Sequence, residues 1–200
     1  MMGVIFLVVL VVYFALSAWV VRGAVRWAKD NNRTPWRWGM LAGLVMYLIV
    51  FWDHIPTWVA HKYYCDKYAG LTVHKTVEQW KVENPGVAEG LHANKHAKRY
   101  ELSSEIVRLD INDRMAWDKS ERIMFLGIKR IENMVIDKLF GTVLAQQIDF
   151  NTDIMNISLG ARGFRDYKLW LGRDSCQQDV KDRQEFYKFE ASIEKMGDEK

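Results

Sequence analysis

Two long apolar runs within the first sixty residues constrain the fold more than any other feature of this 200-residue chain. Residues 4–21 carry no charged side chain, and residues 39–52 form a second apolar run. An uninterrupted apolar stretch of about 18 residues or more is long enough to cross a bilayer as a helix. The sequence therefore predicts a transmembrane hairpin in this part of the chain.

The rest of the chain predicts a small mixed domain attached to that hairpin. We expect a membrane-anchored α+β fold, in which a two-helix transmembrane hairpin precedes a domain that contains an antiparallel β-hairpin. The predicted membrane helices span about 4–21 and 38–60. The predicted domains are the transmembrane hairpin at 1–61 with a basic loop at 22–37, the α+β domain at 62–176, and a C-terminal helix or tail at 177–200.

Local patterns predict the elements of the α+β domain. Residues 71–75 alternate as a strand does, and Thr76 with Gln79 can form the capping box of a helix that ends before Pro85. Residues 98–121 show no clear periodicity. The other predicted elements are a helix at about 85–97, strands at 123–137 and 142–150 around Gly141, a strand at 165–171, and a terminal helix on Val180, Phe186, Phe189 and Ile193.

Positive charge is concentrated in the loop between the two apolar runs. The formal net charge of the chain is +3, but residues 62–200 hold 23 basic and 23 acidic side chains, which cancel. Such a domain lacks the concentrated basic face that nucleic-acid binding needs, so we expect no nucleic-acid partner. The loop has one acidic residue, Asp30, and five basic residues: Arg22, Arg26, Lys29, Arg33 and Arg37.

The basic loop also predicts the orientation of the hairpin. Lys and Arg close to the ends of membrane helices stay on the cytoplasmic side. We therefore expect loop 22–37 in the cytoplasm, and the N-terminus and the C-terminal domain in the periplasm of a bacterium. The expected location is the inner membrane, with the lipid bilayer as one partner.

The two cysteines lie far apart in the sequence and outside any CxxC or Cys/His metal spacing. In an oxidising periplasm, Cys65 and Cys176 could pair and fasten the end of the domain beside the membrane exit. Two unrelated free thiols are the alternative.

Small residues predict where the two membrane helices pack. Gly39 and Gly43 form a GxxxG pattern, and an antiparallel arrangement places them at the depth of Ala15 and Ala18. Small residues on facing helices allow close approach of the backbones in lipid. The pattern is also common in membrane helices that do not pack there.

Polar residues at the end of the second run form a candidate site. Asp53, Thr57 and His61 recur every four residues, so a continuous helix would place them on one face with His54 beside them. Ionisable groups in a membrane segment are costly and often mark proton or ion paths. The alternative is a hydrated cluster at the membrane surface that ends the span.

A second candidate site depends on a predicted helix. On a helix at 85–97, Glu89, His92 and His96 would share one face, with spacings of three and four residues. Carboxylate and imidazole side chains on one helix face can bind a divalent metal. The segment is equally well suited to be a solvated surface. The sequence identifies no cofactor, and it lacks a GxSxG motif or other catalytic serine signature.

Five short segments between residues 52 and 86 carry a resemblance: WDHIP at 52–56, HKYYC at 61–65, VHKT at 73–76, QWK at 79–81 and ENPG at 83–86. Together they resemble a group of uncharacterised proteobacterial inner-membrane proteins with two helices. The similarity is best over about 50–90 and weaker over 129–150. The resemblance implies a Gram-negative inner-membrane setting, and it implies no activity.

These patterns favour a non-enzymatic function. We expect a structural or interaction subunit of an envelope complex, whose partner is a membrane or periplasmic protein. One alternative is a membrane-proximal enzyme or metal-binding module that uses Asp53, His54 and His61, or Glu89, His92 and His96. Another is a phage- or plasmid-derived envelope protein that acts in exclusion or lysis.

Overall fold

The computed structural model describes residues 2–94, 98–152, 168–176 and 179–197. It is an α+β structure with an N-terminal apolar helix and a six-stranded antiparallel sheet within these residues. The chain divides into two compact units. One unit combines Met1–Trp58 with Asn156–Leu171, and the other combines Val59–Met155 with Gly172–Lys200.

The first unit begins with two antiparallel helices, α1 at Met2–Asp30 and α2 at Pro35–Phe51. Helix α1 extends well beyond Val21, because the basic stretch that follows is rich in residues with good helix propensity. It ends where Asn32 adopts a left-handed backbone with φ of 53°, and Pro35 then begins α2. Most of the sequence predicted as a loop at 22–37 is therefore helical.

This longer helix changes the contacts of the glycines in α2. A Cβ added at Gly39 would meet Val25 at 2.8 Å, and one added at Gly43 would meet Val21 at 3.9 Å. The glycines do permit close packing of α2 on α1. Their neighbours are Val25 and Val21 rather than Ala15 and Ala18, because the turn between the helices lies further along the chain than predicted.

The second apolar run does not continue as one straight helix. Helix α2 ends at Phe51, and α3 at His54–Tyr68 continues at an angle of 62°. Pro56 lies in the first turn of α3, where its missing amide hydrogen costs no hydrogen bond. By length and composition, the described residues hold one helix that could cross a membrane, α1, or two if the bent α2–α3 pair is one span.

The second unit contains the sheet, in which every pairing is antiparallel and the order is β1-β6-β5-β4-β3-β2. The predicted hairpin around Gly141 is present as β5 and β6, but it is part of a larger sheet rather than an isolated hairpin. The strands are β1 Gly70–Val73, β2 Arg99–Ser103, β3 Ile106–Asp110, β4 Met115–Ile123, β5 Lys129–Asp137 and β6 Thr142–Asn151.

Strands β2, β3 and most of β4 occupy the segment 98–121, where the sequence showed no periodicity. Charged residues in these strands pair across the sheet, which hides the usual alternation. Arg108 lies directly opposite Asp118, and its guanidinium donates two hydrogen bonds of 2.6 Å to that carboxylate.

Two apolar clusters hold this unit together. The larger one joins α4 at Val77–Glu83 and α5 at Asp179–Glu194 to the sheet, through Trp80, Val135 and Phe186. The smaller one packs Ile128, Phe150 and Cys176 against the part of α3 that contains Tyr64.

Several local predictions can be compared with these elements. The capping box of Thr76 and Gln79 is confirmed at the start of α4. The α-helix predicted at 85–97 is wrong over its described part, where only a short 3-10 turn forms at Ala88–Gly90, because Gly86 adopts a φ of 77° that ends helical geometry. The strand predicted at 165–171 is wrong at Leu169–Leu171, which is a 3-10 turn, and residues 165–167 lie outside the described part of the chain.

Candidate functional site

Asp53 lies at the break between α2 and α3 and is almost fully buried, with 6% of its surface exposed. Its carboxylate accepts a hydrogen bond of 2.5 Å from the Lys168 ammonium and one of 3.3 Å from the Trp170 indole. A buried carboxylate that is paired and hydrogen-bonded in this way avoids the large cost of an isolated buried charge. The geometry is that of a structural ion pair at a helix break.

The other polar residues at this break have different neighbours. The Tyr47 hydroxyl lies 2.8 Å from Nδ1 of His54. Thr57 is 1% exposed, and its hydroxyl oxygen has no hydrogen-bond partner among the described residues. Asp53 directly precedes α3, and its backbone carbonyl accepts a hydrogen bond of 3.0 Å from the Thr57 amide. Thr57 and His61 lie four residues apart within α3. The four predicted residues are thus close in sequence, but each has its own environment.

His61 lies in the second unit, beside the cysteines. Its Nε2 is 3.0 Å from the carbonyl oxygen of Phe150 and 3.7 Å from Sγ of Cys65. Cys65 and Cys176 lie at disulfide-bonding distance, with their sulfur atoms 2.02 Å apart. The bond links the last turn of α3 to the segment that precedes α5 in the sequence.

Three potential metal ligands meet at this point. The nearest ligand atoms of His61, Cys65 and Cys176 all lie within 4.8 Å of one another. A cysteine binds a metal as its thiolate, and a disulfide offers no thiolate. In the bonded state this cluster is therefore a covalent link with a neighbouring imidazole. It could act as a ligand set only after reduction.

The other predicted metal site depended on an α-helix at 85–97, and that helix does not form over the described residues. Glu89 lies in the short 3-10 turn, and His92 follows it in irregular backbone. The spacing of three residues no longer places these two side chains on one α-helical face. His96 lies outside the described residues.

A buried polar network surrounds Asp137, at the end of β5. Its carboxylate accepts hydrogen bonds from the Arg114 guanidinium at 2.6 Å, the Trp80 indole at 3.0 Å and the Leu139 backbone amide at 3.0 Å. The guanidinium of Arg114 also donates to Asn84 at 3.1 Å. Oδ1 of Asp137 accepts from Arg114 and Leu139, and Oδ2 accepts from Trp80, so both carboxylate oxygens are hydrogen-bonded and the network links the β5–β6 turn to α4.

The network also determines the charge state of Asp137. Burial alone would raise the pKa of this carboxyl group. The hydrogen bonds from Arg114, Trp80 and Leu139, together with the positive charge of Arg114, outweigh burial and hold the pKa below its ordinary value. Asp137 is therefore ionised at neutral pH and has a structural role.

Sequence reasoning did not identify Lys168, Trp170, Arg114 or Asp137. Lys168 lies 115 residues from its partner Asp53, and Arg114 lies 23 residues from Asp137. No local pattern reveals such pairs.

Among known proteins, no family model, curated protein or solved structure matches this chain.

Proposed function

We propose that this protein is a membrane-anchored interaction subunit of a bacterial envelope complex. In this proposal α1 and the bent α2–α3 pair anchor the chain in the inner membrane. The sheet-containing domain lies on the periplasmic side and binds another envelope protein. The function is non-enzymatic.

The observation that carries the proposal is the apolar surface of α1 and α2. The most apolar 18-residue window of α1 falls within Leu7–Asp30, has a mean hydropathy of 2.1, and has none of its residues buried. Leu7, Val9 and Met40 each expose 60% or more of their surface. An apolar surface of this extent is unfavourable in water, and it is the kind of surface that a bilayer or a membrane partner covers.

Two further features support the predicted orientation. A disulfide between Cys65 and Cys176 persists in oxidising compartments and is rare in the cytosol. The positive charges near the α1–α2 turn favour the cytoplasmic side for that turn. Both features support a domain outside the cytoplasm.

The sheet-containing domain also presents surfaces that a protein partner could use. All five residues of β2 are exposed, and this strand is an edge of the described sheet. Exposed edge strands can pair with a strand from another chain. At the β4–β5 connection, Ile123 and Phe125 expose 71% and 75% of their surfaces. They flank Met124, which packs in the same cluster as Tyr64 of α3, so this connection suits contact with a neighbouring apolar surface.

Topology is the first test of this proposal. Fusions to a reporter that is active only in the periplasm, made after Tyr68 and after Lys200, are expected to be active, while a fusion after Asn32 is expected to be inactive. The reverse pattern would contradict the orientation. Recovery of the full chain in the soluble fraction would contradict the membrane anchor.

Partner binding requires a separate experiment. After gentle detergent extraction, the wild-type chain is expected to migrate as a complex larger than a monomer. Leu102→Lys on the edge strand β2 is expected to reduce the amount of this complex. Leu139→Lys, at an exposed turn elsewhere on the sheet, is the matched control and is expected to leave it unchanged. A wild-type chain that is only monomeric after extraction would count against the subunit role.

A redox-dependent metal module is the second candidate, favoured by the cluster of His61, Cys65 and Cys176. After reduction, this cluster would offer two thiolates and an imidazole, which suits Zn²⁺. Anaerobic reduction in the presence of Zn²⁺, followed by removal of unbound metal, should leave one bound ion per chain if this function is correct. A chain without stoichiometric zinc would exclude it.

A further inference from the structure

One face of the sheet carries two adjoining cavities beside α5. The first has a volume of about 220 Å³ and lies over β4, β5 and β6, with Arg183 and Tyr187 of α5 at its rim. The second has a volume of about 200 Å³ and lies over β2, β3 and β4. Trp117 and Lys119 line both cavities, so the two form one groove, which we call the sheet groove.

The first cavity is lined by polar side chains at sheet positions that would be apolar in an ordinary core. Asn133 of β5 pairs directly opposite Gln147 of β6, and the Asn133 amide donates a hydrogen bond of 2.6 Å to the Gln147 side-chain oxygen. Asn151 lies further along the same face of β6. A carboxamide has both hydrogen-bond donors and an acceptor, and a hydroxylated ligand can bind to both.

Several polar atoms of this lining have no partner within the protein. Among the described residues, five buried side-chain nitrogen or oxygen atoms lack a hydrogen bond. Three of them belong to residues that line this cavity: Nε1 of Trp117, Oδ1 of Asn133 and Oδ1 of Asn151. Unpaired buried polar groups are rare because they are costly. Their concentration at one cavity indicates a place where polar atoms are supplied from outside the chain.

The groove is also positively charged. Three cations, Arg99, Lys119 and Arg183, and one carboxylate, Asp149, line it. Asp149 is 3% exposed, and its Oδ1 accepts hydrogen bonds from the backbone amides of Phe150 and Cys176. Its Oδ2 lies 4.0 Å from the Arg183 guanidinium, which also donates a hydrogen bond of 3.3 Å to Ser175 and keeps 43% of its side chain exposed. Lys119 forms an ion pair of 2.7 Å with Glu121. The cations still outnumber the carboxylates, so the net charge of the groove is positive and favours an anion.

Aromatic rings and cavity size narrow the class of ligand further. Trp117 and Tyr187 meet edge to face, with ring centroids 6.4 Å apart, and both line the polar cavity. Aromatic rings provide apolar faces for the C–H surface of a ring-shaped ligand. The polar cavity is smaller than the roughly 300–1,000 Å³ of pockets that enclose drug-sized ligands. It suits a single ring, with the adjoining cavity available to a substituent.

We propose that the sheet groove binds a sugar unit that carries an acidic group. In this arrangement Asn133, Gln147 and Asn151 contact the hydroxyl groups, Trp117 contributes its ring and its indole N–H, and Arg183 pairs with the acidic group. Every one of these residues lies in the sheet-containing unit. The site is therefore independent of whether the helices of the first unit cross a membrane.

The test uses the full-length chain in detergent micelles and saturation-transfer NMR with four probes: D-glucuronate, D-glucose, acetate and a short acidic peptide. We expect D-glucuronate to bind more tightly than D-glucose, with no binding of acetate or of the peptide. Arg183→Gln should weaken D-glucuronate binding by about tenfold, as expected for loss of a charged hydrogen bond. It should change D-glucose binding by about twofold or less, because a neutral sugar lacks the charged partner.

Two further variants make the result specific. Trp117→Phe keeps an aromatic ring but removes the indole donor, and it should weaken both sugars. Arg122→Gln is the matched control, because Arg122 lies on β4 with 65% of its side chain exposed and does not line the groove. Circular dichroism spectra of all variants should match that of the wild type.

Several outcomes would overturn the proposal. Absence of saturation transfer to either sugar would exclude a sugar site. Acetate or the acidic peptide binding as tightly as D-glucuronate would show a site for simple anions or for peptides. An equal effect of Arg122→Gln and Arg183→Gln would place the binding outside the groove.

Discussion

Two polar regions within the sheet-containing unit use similar residues in opposite ways. Around Asp137, an indole, a guanidinium and a backbone amide all donate to one carboxylate, and the network is closed. In the sheet groove, another indole and two carboxamides keep atoms without partners beside a cavity. Trp80 is 2% exposed and its indole nitrogen donates to Asp137, whereas the indole nitrogen of Trp117 has no acceptor in the described structure.

The difference indicates two roles for buried polar groups. A closed network contributes to the stability of the fold, because each group has regained the hydrogen bonds that it lost from water. An open set of donors and acceptors makes little contribution to stability and is suited to binding. The predictions below test this distinction, in order of expected effect on the free energy of unfolding.

The largest effect on the free energy of unfolding is expected for the disulfide, which lies next to the sheet groove in the sequence. It links residues 111 positions apart, and Cys176 follows Ser175, which lines the polar cavity. Replacement of both cysteines by serine should reduce the free energy of unfolding by about 4 kcal/mol, since a bridge over a long loop restricts the unfolded chain. Denaturant unfolding in detergent, followed by circular dichroism, measures this value. An unchanged midpoint would show that the bond does not stabilise the domain.

The next largest effect is expected at the closed network. Asp137→Ala leaves the Arg114 guanidinium, which is 15% exposed, without its anion and should cost about 3 kcal/mol. Asp66→Ala is the control, because Asp66 forms an exposed pair with Lys62 and should contribute nothing measurable. A loss at Asp137 no larger than the loss at Asp66 would contradict the structural role of this network.

The closed network also predicts the response to acid. The pKa of Asp137 is lowered in the folded state, so its contribution to stability is fully present above the ordinary Asp pKa of about 3.9 and is lost as the pH falls below it. Unfolding measured from pH 6 to pH 3 should show a steeper loss of stability in the wild type than in Asp137→Asn. Parallel pH profiles would disagree with the assigned cause of the lowered pKa.

The smallest effect is expected in the sheet groove. Trp117→Phe removes an indole N–H that has no acceptor in the described structure, and the free energy of unfolding should change by less than about 1 kcal/mol in either direction. Trp80→Phe in the closed network should cost about 1–3 kcal/mol, because it leaves Asp137 without one donor. Thermal unfolding of the two variants compares the regions directly. A larger loss in Trp117→Phe than in Trp80→Phe would reverse the comparison.

A part of the candidate site could have been recognised from sequence. Gln147 and Asp149 lie on the segment predicted as a strand at 142–150, and Asn151 directly follows it, so the three residues at intervals of two share one face. Three polar residues in succession on one strand face indicate either a solvated face or a binding face. The sequence could not distinguish these, because the position of α5 and the pairing of β4, β5 and β6 decide which face is covered.

The local features of the chain were determined by sequence alone. Two apolar runs predicted the first two helices, Thr76 and Gln79 predicted the cap of α4, and Gly141, with a φ of 66°, predicted the β5–β6 turn. Each of these depends on residues within a few positions of one another, whose propensity and hydrogen bonding act over that short range. They could be predicted without knowledge of the fold.

Tertiary structure alone decided the pairs that join distant segments. It placed Lys168 on Asp53 and Arg114 on Asp137, and it brought Trp117, Asn133 and Arg183 to one groove. It also extended a predicted hairpin into a six-stranded sheet, by pairing strands whose charged residues concealed their alternation. The physical reason is that side-chain partners and burial depend on which strands and helices become neighbours, and no local pattern contains that information.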